Sequence, residues 1–149
     1  MKSFSFRLDR ILKLREGAEQ RQARRLGQAV EAESMLARLC EVQESHLRAV
    51  GDQLLRAPGE RLSAGMLRIL RLASTAAANQ LEDTERSRLE AEQAADSERE
   101  RLAEARVERR SLEKLKEHQR TAWQEESGRE EQKAMDEIAG RTKRDGSAA

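Results

Sequence analysis

A single proline divides this chain and restricts it to very few folds. Pro58, followed by Gly59, is the only proline among 149 residues. Proline lacks a backbone donor and disfavours helix at the residue before it, so a first helix has to end near this point. The sequence therefore predicts two long helices, over about 5–56 and about 62–140, joined by a turn at about 57–61.

Heptad spacing runs through the stretch before the proline. Two interleaved series lie alternately four and three residues apart, which places them on one face of a left-handed supercoil. The polar members weaken this face but can set its register. We call the face the first seam; its members are Leu8, Leu12, Arg15, Glu19, Gln22, Leu26, Ala29, Glu33, Leu36, Cys40, Gln43, Leu47, Val50 and Leu54.

A second seam follows the proline at the same spacing, with small residues at many of its positions. Two amphipathic helices joined by a short turn bury their seams most simply on each other, as an antiparallel hairpin. A parallel dimer of extended chains is the competing fold, but it leaves the turn signal unexplained. The members of the second seam are Leu70, Ala77, Leu81, Thr84, Arg88, Ala91, Ala95, Glu98, Leu102, Ala105, Arg109 and Leu112.

The second helix is much longer than the first, so part of it should overhang. With the turn centred near Gly59, Leu8 would lie opposite Arg110, and residues 111–141 would project beyond the first helix. Basic residues 7–25 would then face the acidic block 82–100, and a basic, disordered tail would follow at 141–149. The predicted fold is all-α: one domain, a long antiparallel two-helix coiled coil with an overhanging C-terminal helix.

Composition excludes several classes of function. With 38% charged and 2% aromatic residues, the chain has little material for a globular core, and its mixture is typical of coiled coils. It offers no phosphate-binding glycine loop and no nucleophile with a positioned histidine, so we expect neither an enzyme nor a cofactor. Acidic residues interrupt the basic clusters at 21–25 and 106–110, which argues against nucleic-acid binding.

Cysteine, histidine and hydropathy set further limits. Cys40 is the only cysteine, and we expect it to be a small buried residue rather than a reactive thiol. His46 and His118 have no second ligand at metal-binding spacing, so no metal site is predicted. No apolar run is long enough for a bilayer span or a signal peptide, and we expect a cytoplasmic protein.

Apolar residues nearly encircle the start of the second helix, over residues 62–78. A single partner helix cannot cover them all, so some should be exposed. They either close the turn as a small cluster or form a docking patch for another protein. The sequence leaves both interpretations open.

Both ends of the chain resemble the FliJ family of the flagellar type III export apparatus. Residues 6–16 read Phe-Arg-Leu-x-Arg-Ile-Leu-x-Leu-Arg-Glu, and residues 129–139, after Trp123, read Arg-Glu-Glu-Gln-Lys-Ala-Met-Asp-Glu-Ile-Ala. Length, composition and turn position agree, so the resemblance covers the whole chain. Injectisome stalk proteins share the design, but the Gln-Lys-x-Met-Asp-Glu run favours the flagellar branch. A generic cytoplasmic coiled-coil adaptor is the other alternative.

The resemblance implies a stalk that serves flagellum biogenesis, motility and chemotaxis. It implies that the chain ends enter the pore of a hexameric export ATPase (FliI-like) and promote its assembly and activity. It also implies contact with an export gate protein (FlhA-like), escort of export chaperones, and peripheral association with the inner membrane at the flagellar base. Alone, the chain should be a monomer.

The same resemblance implies two sets of partner-binding residues. The gate-binding set is Leu67, Leu72 and Ala76. The ATPase-binding set is Phe6, Arg7, Arg10, Arg129, Gln132, Lys133, Met135, Asp136 and Glu137.

Overall fold

Two helices account for nearly all of the described chain. The computed structural model describes residues 3–56 and 63–145, with side chains as far as Arg141. Helix α1 spans Asp9–Arg56 and helix α2 spans Ala64–Asp145. No strand occurs in the described ranges. The predicted turn at about 57–61 lies outside them.

Helix α1 begins four residues later than predicted. Residues 3–8 are not helical; a turn closes with the amide of Asp9 donating to the carbonyl oxygen of Phe6 over 3.1 Å. Asp9 then supplies an acidic side chain to the first turn, where the helix dipole favours it. The buried side chain of Phe6 holds this segment in place, which accounts for the late start. The last described residue of α1 is Arg56.

Helix α2 is capped by a side chain at its start and runs past its predicted end. The backbone amide of Met66 donates hydrogen bonds to the hydroxyl oxygen of Ser63 (3.2 Å) and to its carbonyl oxygen (3.0 Å), as is usual for an N-cap serine. The predicted stop at Gly140 is wrong, because the helix continues to Asp145. No glycine in the described ranges has positive φ, so Gly140 does not adopt the left-handed conformation that ends many helices.

The chain divides into two compact units, each built from both helices. The terminal unit comprises Met1–Glu19 with Ala105–Ala149, and the central unit comprises Gln20–Glu104. Within each unit the α1 and α2 segments run antiparallel and pack along their seams. The predicted all-α, antiparallel two-helix coiled coil is therefore confirmed. The expectation of a single domain stays a prediction.

The buried residues follow the predicted seams closely. Every second-seam residue is buried or half-buried, and Arg15 is the single exposed member of the first. Ala95, at 0% exposure, is the most buried of these residues in the central unit. Cys40 is buried, as predicted. The most buried side chains are Phe6, Leu12, Cys40, Val50, Ala77, Thr84, Ala95 and Leu102.

Two polar seam residues of the central unit form hydrogen bonds that compensate for their burial. The side-chain amide of Gln22 donates to a carboxylate oxygen of Glu98 on the other helix. The buried hydroxyl of Thr84 donates to the carbonyl oxygen of Gln80, 2.9 Å away and four residues earlier. These contacts satisfy polar groups that burial would otherwise penalise.

Neither helix has an 18-residue stretch apolar enough to cross a bilayer, within the parts of the chain that the structure describes.

Candidate partner-binding site at the chain termini

The N-terminal segment packs on α2 through the aromatic residues of the chain. The rings of Phe4 and Trp123 have centroids 6.1 Å apart and are tilted by 50°. Phe6 is buried at 6% exposure, with the Nζ of Lys116 lying 5.9 Å from its ring centroid. This arrangement combines a tilted aromatic pair with a cation over a ring face. We call residues 3–8 the strap, because they hold the N-terminus against α2.

Lys116 also anchors the first turn of α1. Its Nζ donates to Oδ1 of Asp9 over 2.7 Å, while Lys13 lies 3.2 Å from the other carboxylate oxygen. The hydrogen bond from Lys116, followed by that from Lys13, lowers the pKa of Asp9 below its usual value. One lysine thus links the strap and the start of α1 to α2.

A second charged cluster lies further along the terminal unit. Glu19 accepts from Arg109 and lies 3.5 Å from Arg106. Arg109 also reaches Glu113 at 2.6 Å, and the hydrogen bonds with Glu19 and then Glu113 raise the pKa of Arg109. The three side chains Glu19, Arg109 and Glu113 therefore form a bridged network that fixes how α1 and α2 align here.

The observed ion pairs correct the predicted alignment of the helices. Asp9 lies beside Lys116, and Arg15 lies 2.6 Å from Glu108, so Leu8 is not opposite Arg110. Residues from 111 to Trp123 accordingly pack beside α1 and the strap. Counting outward from Gly59 pairs Asp9 with residue 109 and Arg15 with residue 103, so the prediction was wrong by seven and five residues in this unit.

The predicted pairing of charge blocks is also wrong in the terminal unit. Between Asp9 and Glu19, α1 lies beside residues 106–116 of α2, whose charged residues are mostly basic, and the basic segment meets the acidic block 82–100 only in the central unit, where Gln22 contacts Glu98. Two basic segments can lie side by side because acidic residues within each segment form ion pairs with cations of the other. Asp9 pairs with Lys116, Glu19 with Arg109, and Glu108 with Arg15. Opposite charges at contact outweigh the average charge of a segment.

All nine predicted ATPase-binding residues fall in the terminal unit, but in two groups that no described contact joins. In the strap group, Phe6 is buried whereas Arg7 and Arg10 are exposed. The α2 group begins six residues after Trp123, about 9 Å along a helix axis. This N-terminal group therefore exposes two arginine side chains and buries its aromatic ring.

The α2 group belongs to an exposed stretch of helix. Apart from half-buried Ser127, residues 124–141 are exposed. Arg129 lies 3.9 Å from Glu125, and Gln132 donates to Asp136 over 3.0 Å. Helical spacing places Arg129, Gln132, Lys133 and Asp136 on one face. Met135, 69% exposed, lies off that face. The overhanging helix begins later than predicted, after Trp123.

The predicted gate-binding residues lie in the central unit, on the first turns of α2. Leu67 is 38% exposed, Leu72 is 66% exposed, and Ala76 is also exposed. Met66 and Ile69 are exposed nearby, at 47% and 62%. The excess apolar surface expected here is therefore present.

Sequence reasoning missed the residues that hold the strap in place. Asp9 and Lys116 were not singled out, and the contact between Phe4 and Trp123 was not anticipated. The available signal was the scarcity of aromatic residues: the two phenylalanines and one tryptophan lie near the two chain ends. Rare large apolar side chains in a polar chain tend to meet, because burial stabilises them more than any other residue present.

No group of three or more His, Cys, Asp or Glu side chains that could hold a metal ion occurs among the described residues.

Comparison with known proteins gives one result. The chain matches the family described as "Flagellar FliJ protein" over residues 4–146, nearly its whole length. No curated protein matches it, and no solved structure does. The family consists of structural and adaptor proteins of the flagellar export apparatus rather than enzymes. Because the match covers far more than half of the sequence, the chain belongs to the FliJ family and is a component of flagellar protein export.

Proposed function

We propose that the chain is the stalk of the flagellar type III export apparatus. Its two ends enter the central pore of the hexameric export ATPase and promote assembly and ATP turnover. The observation that carries the proposal is the union of both chain ends in one compact unit, together with the family match. A stalk has to present its ends as a single body, and the strap contacts between Phe4 and Trp123 and between Asp9 and Lys116 support this.

Within this proposal the two residue groups have different tasks. Arg7 and Arg10 contact the ATPase directly, since they are exposed. Phe6 positions them by anchoring the strap, because its ring is buried. The face formed by Arg129, Gln132, Lys133 and Asp136, with Met135 and Glu137, supplies the second set of contacts.

The central unit would carry the link to the membrane-embedded machinery. Leu67, Leu72 and Ala76 form the surface for the export gate protein, and their exposure supports this role. Through this contact the chain is held peripherally at the inner membrane, at the flagellar base. We further propose that it escorts export chaperones. A stalk of a virulence injectisome and a generic adaptor are the alternatives; the match to a flagellar family favours the flagellar role.

The first experiment titrates the purified full chain into the cognate export ATPase and follows ATP turnover and hexamer formation. A chain ending at Trp123 is the informative truncation, because it retains the ring contact with Phe4. We expect saturable stimulation by the full chain and its loss in the truncation, with the helicity of the remaining chain preserved. Full stimulation by the truncated chain would remove residues 124–141 from the contact surface.

A second experiment tests the gate surface. The double variant Leu67→Asp with Leu72→Asp is expected to weaken binding to the export gate protein and leave ATPase stimulation intact. Leu55→Asp is a matched control, because Leu55 is 78% exposed in the same unit but belongs to α1. Equal gate binding by the double variant and the control would show that these leucines only close the turn.

A further inference from the structure

Helix α1 carries a second row of residues at heptad spacing, on a side that α2 does not cover. Each member comes one position before a residue of the first seam, and intervals of four and three residues alternate along the row. All seven side chains are exposed. We call this row the outer seam; its members are Gln28, Ala32, Met35, Leu39, Val42, His46 and Ala49.

The outer seam is as apolar as the part of the first seam beside it. Five of its seven residues are apolar, and none is Asp, Glu, Lys or Arg. The first seam between Ala29 and Val50 also has five apolar residues among seven, but it includes Glu33. The composition of a packed coiled-coil face therefore occurs twice on α1, once against α2 and once in solvent.

Three large side chains at the centre of the outer seam form a continuous apolar surface. Met35, Leu39 and Val42 are 59%, 44% and 66% exposed. With Leu36 and Arg38 they line an open groove, and every lining residue belongs to α1. A residue one position before the first seam lies about 100° around the helix from it. Another helix can therefore lie along this groove while α2 stays in place.

Charged residues flank the outer seam on the side away from α2. A row of five exposed residues runs along it at a spacing of seven; two are basic, two are acidic and one is neutral. These residues are Arg24, Glu31, Arg38, Ser45 and Asp52. The row has no net charge, so it does not favour an anionic membrane or a strongly acidic protein. A surface that carries both signs can instead complement a second copy of itself.

We propose that the outer seam is a self-association site, where α1 of one chain packs antiparallel against α1 of a second copy. Two-fold symmetry places the outer seam of each copy on that of the other. Met35 then lies opposite Leu39 of the second copy, and Ala32 lies opposite Val42 of the second copy. The apolar centre of the groove is thereby covered by its own counterpart.

The flanking charges favour this register over the neighbouring ones. Arg24 comes beside Asp52 of the second copy, and the symmetry repeats the pair. Displacing one copy by a heptad in one direction would place Glu31 beside Asp52, which are both acidic. Displacing it in the other direction would bring Arg25 opposite Val42, a charge against an apolar side chain.

This association goes beyond the proposed function and does not depend on it. None of the nine ATPase-binding residues and none of the three gate-binding residues belongs to the outer seam. We expect a weak dimer, with a dissociation constant in the micromolar range or above, because each copy buries only three large apolar side chains. The resemblance implied a monomer for the isolated chain, and a weak dimer differs from that expectation only at high concentration.

Sedimentation velocity of the full-length chain over a range of concentrations tests the proposal. The measured mass should rise from that of one chain toward that of two. Met35→Gln with Leu39→Gln should weaken association about tenfold or more, because exposed apolar side chains lose their burial in the dimer. Glutamine is a good helix former, so circular dichroism should remain that of the wild type. Leu55→Gln is the matched control and should associate normally, because Leu55 is 78% exposed on the same helix but follows first-seam residue Leu54.

Charge exchange tests the pairing itself. Arg24→Asp should weaken association about threefold or more, since both symmetry-related pairs become repulsive. Adding Asp52→Arg to the same chain should restore wild-type association, because the pair forms again with its signs exchanged. The two Arg38 side chains meet near the two-fold axis, so Arg38→Gln should strengthen association. Binding to an anionic membrane would respond in the opposite way, since it would lose a favourable charge.

Four outcomes would contradict self-association at the outer seam. The first is a wild-type chain that sediments as a single chain up to millimolar concentration. The second is equal association by the wild type and the Met35/Leu39 variant, and the third is an Arg24→Asp defect that Asp52→Arg does not repair. The fourth is pelleting of the wild type with phosphatidylglycerol vesicles that is lost in the Met35/Leu39 variant, which would assign the face to lipid.

Discussion

Lys116 donates to Asp9 over 2.7 Å across a sequence separation of 107 residues, and the same ammonium group lies over the ring of Phe6. This joins the first turn of α1 to a point well along α2. The carboxylate of Asp9 is held ionised, since hydrogen bonds from Lys116 and then Lys13 lower its pKa.

Acidic pH should lower the stability of the terminal unit by protonating the carboxylate of Asp9. Because the folded pKa lies below the unfolded value of 3.8, its stabilising contribution is fully present above that pH. The contribution is lost as the pH falls through the folded pKa. Thermal unfolding followed by circular dichroism between pH 7 and strongly acidic conditions should show a smaller acid-induced drop for Asp9→Asn than for the wild type. Glu100→Gln, at an exposed acid of the central unit, should reproduce the wild-type profile; identical profiles for both variants would contradict the role of Asp9.

Trp123 offers a fluorescence signal for the strap, because it is the only tryptophan in the chain. Removing its ring partner with Phe4→Ala should expose the indole, shifting its emission to the red and increasing quenching by acrylamide. The loss of an aromatic pair also costs about 0.5–1.5 kcal/mol beyond the area exposed. Met135→Ala, further along α2, should leave the emission unchanged. A spectrum unaffected by Phe4→Ala would mean that the strap does not cover Trp123 in solution.

Ala95 and Ala94 form a matched pair for testing the packing of the central unit. Ala95 is completely buried, whereas its neighbour Ala94 is exposed. Replacing Ala95 by leucine overpacks the contact between the helices and should cost about 1–3 kcal/mol of unfolding free energy. Ala94→Leu should change it by less than about 0.5 kcal/mol. Urea unfolding distinguishes the two, and equal midpoints would show that the helices do not approach closely at Ala95.

Gln43 should be a position where an apolar replacement stabilises the protein. Its side-chain Oε1 is buried and, within the described residues, has no hydrogen-bond partner. An unsatisfied buried acceptor costs about 1–3 kcal/mol, so Gln43→Leu should raise the melting temperature. Gln53→Leu, at an exposed position of the same helix, serves as control. A lower melting temperature for Gln43→Leu would mean that the amide has a partner in solution.

The seams could be predicted from sequence because their signal is local and repeats along the chain. Leu12, Cys40 and Ala95 are buried as heptad spacing requires. Arg15 is the exception, since its long side chain leaves the seam to reach Glu108.

The arrangement of the termini could not be predicted in this way. The late start of α1 depends on Phe6 packing against Lys116, a residue far along the chain. The register depends on which acid meets which cation, and a count of charges per block does not contain that information. The end motifs identified the exposed face at 129–137, but they did not predict that Phe6 would be buried.

Under the proposed function, the strength with which the exposed stretch 124–141 binds the ATPase would depend on how often this helix is formed. A polar helix of this length is marginal in water. The apparent affinity for a partner that binds only the helical form is therefore reduced in proportion to the fraction of chains that are helical. Gly128 lies within it, and a Cβ added there would meet no atom within 4 Å. Alanine at this position favours helix by about 0.8–1 kcal/mol. If this helix binds as proposed, Gly128 lowers the fraction of chains in the binding-competent helical form, and replacing it with alanine would tighten the complex without adding a contact to it.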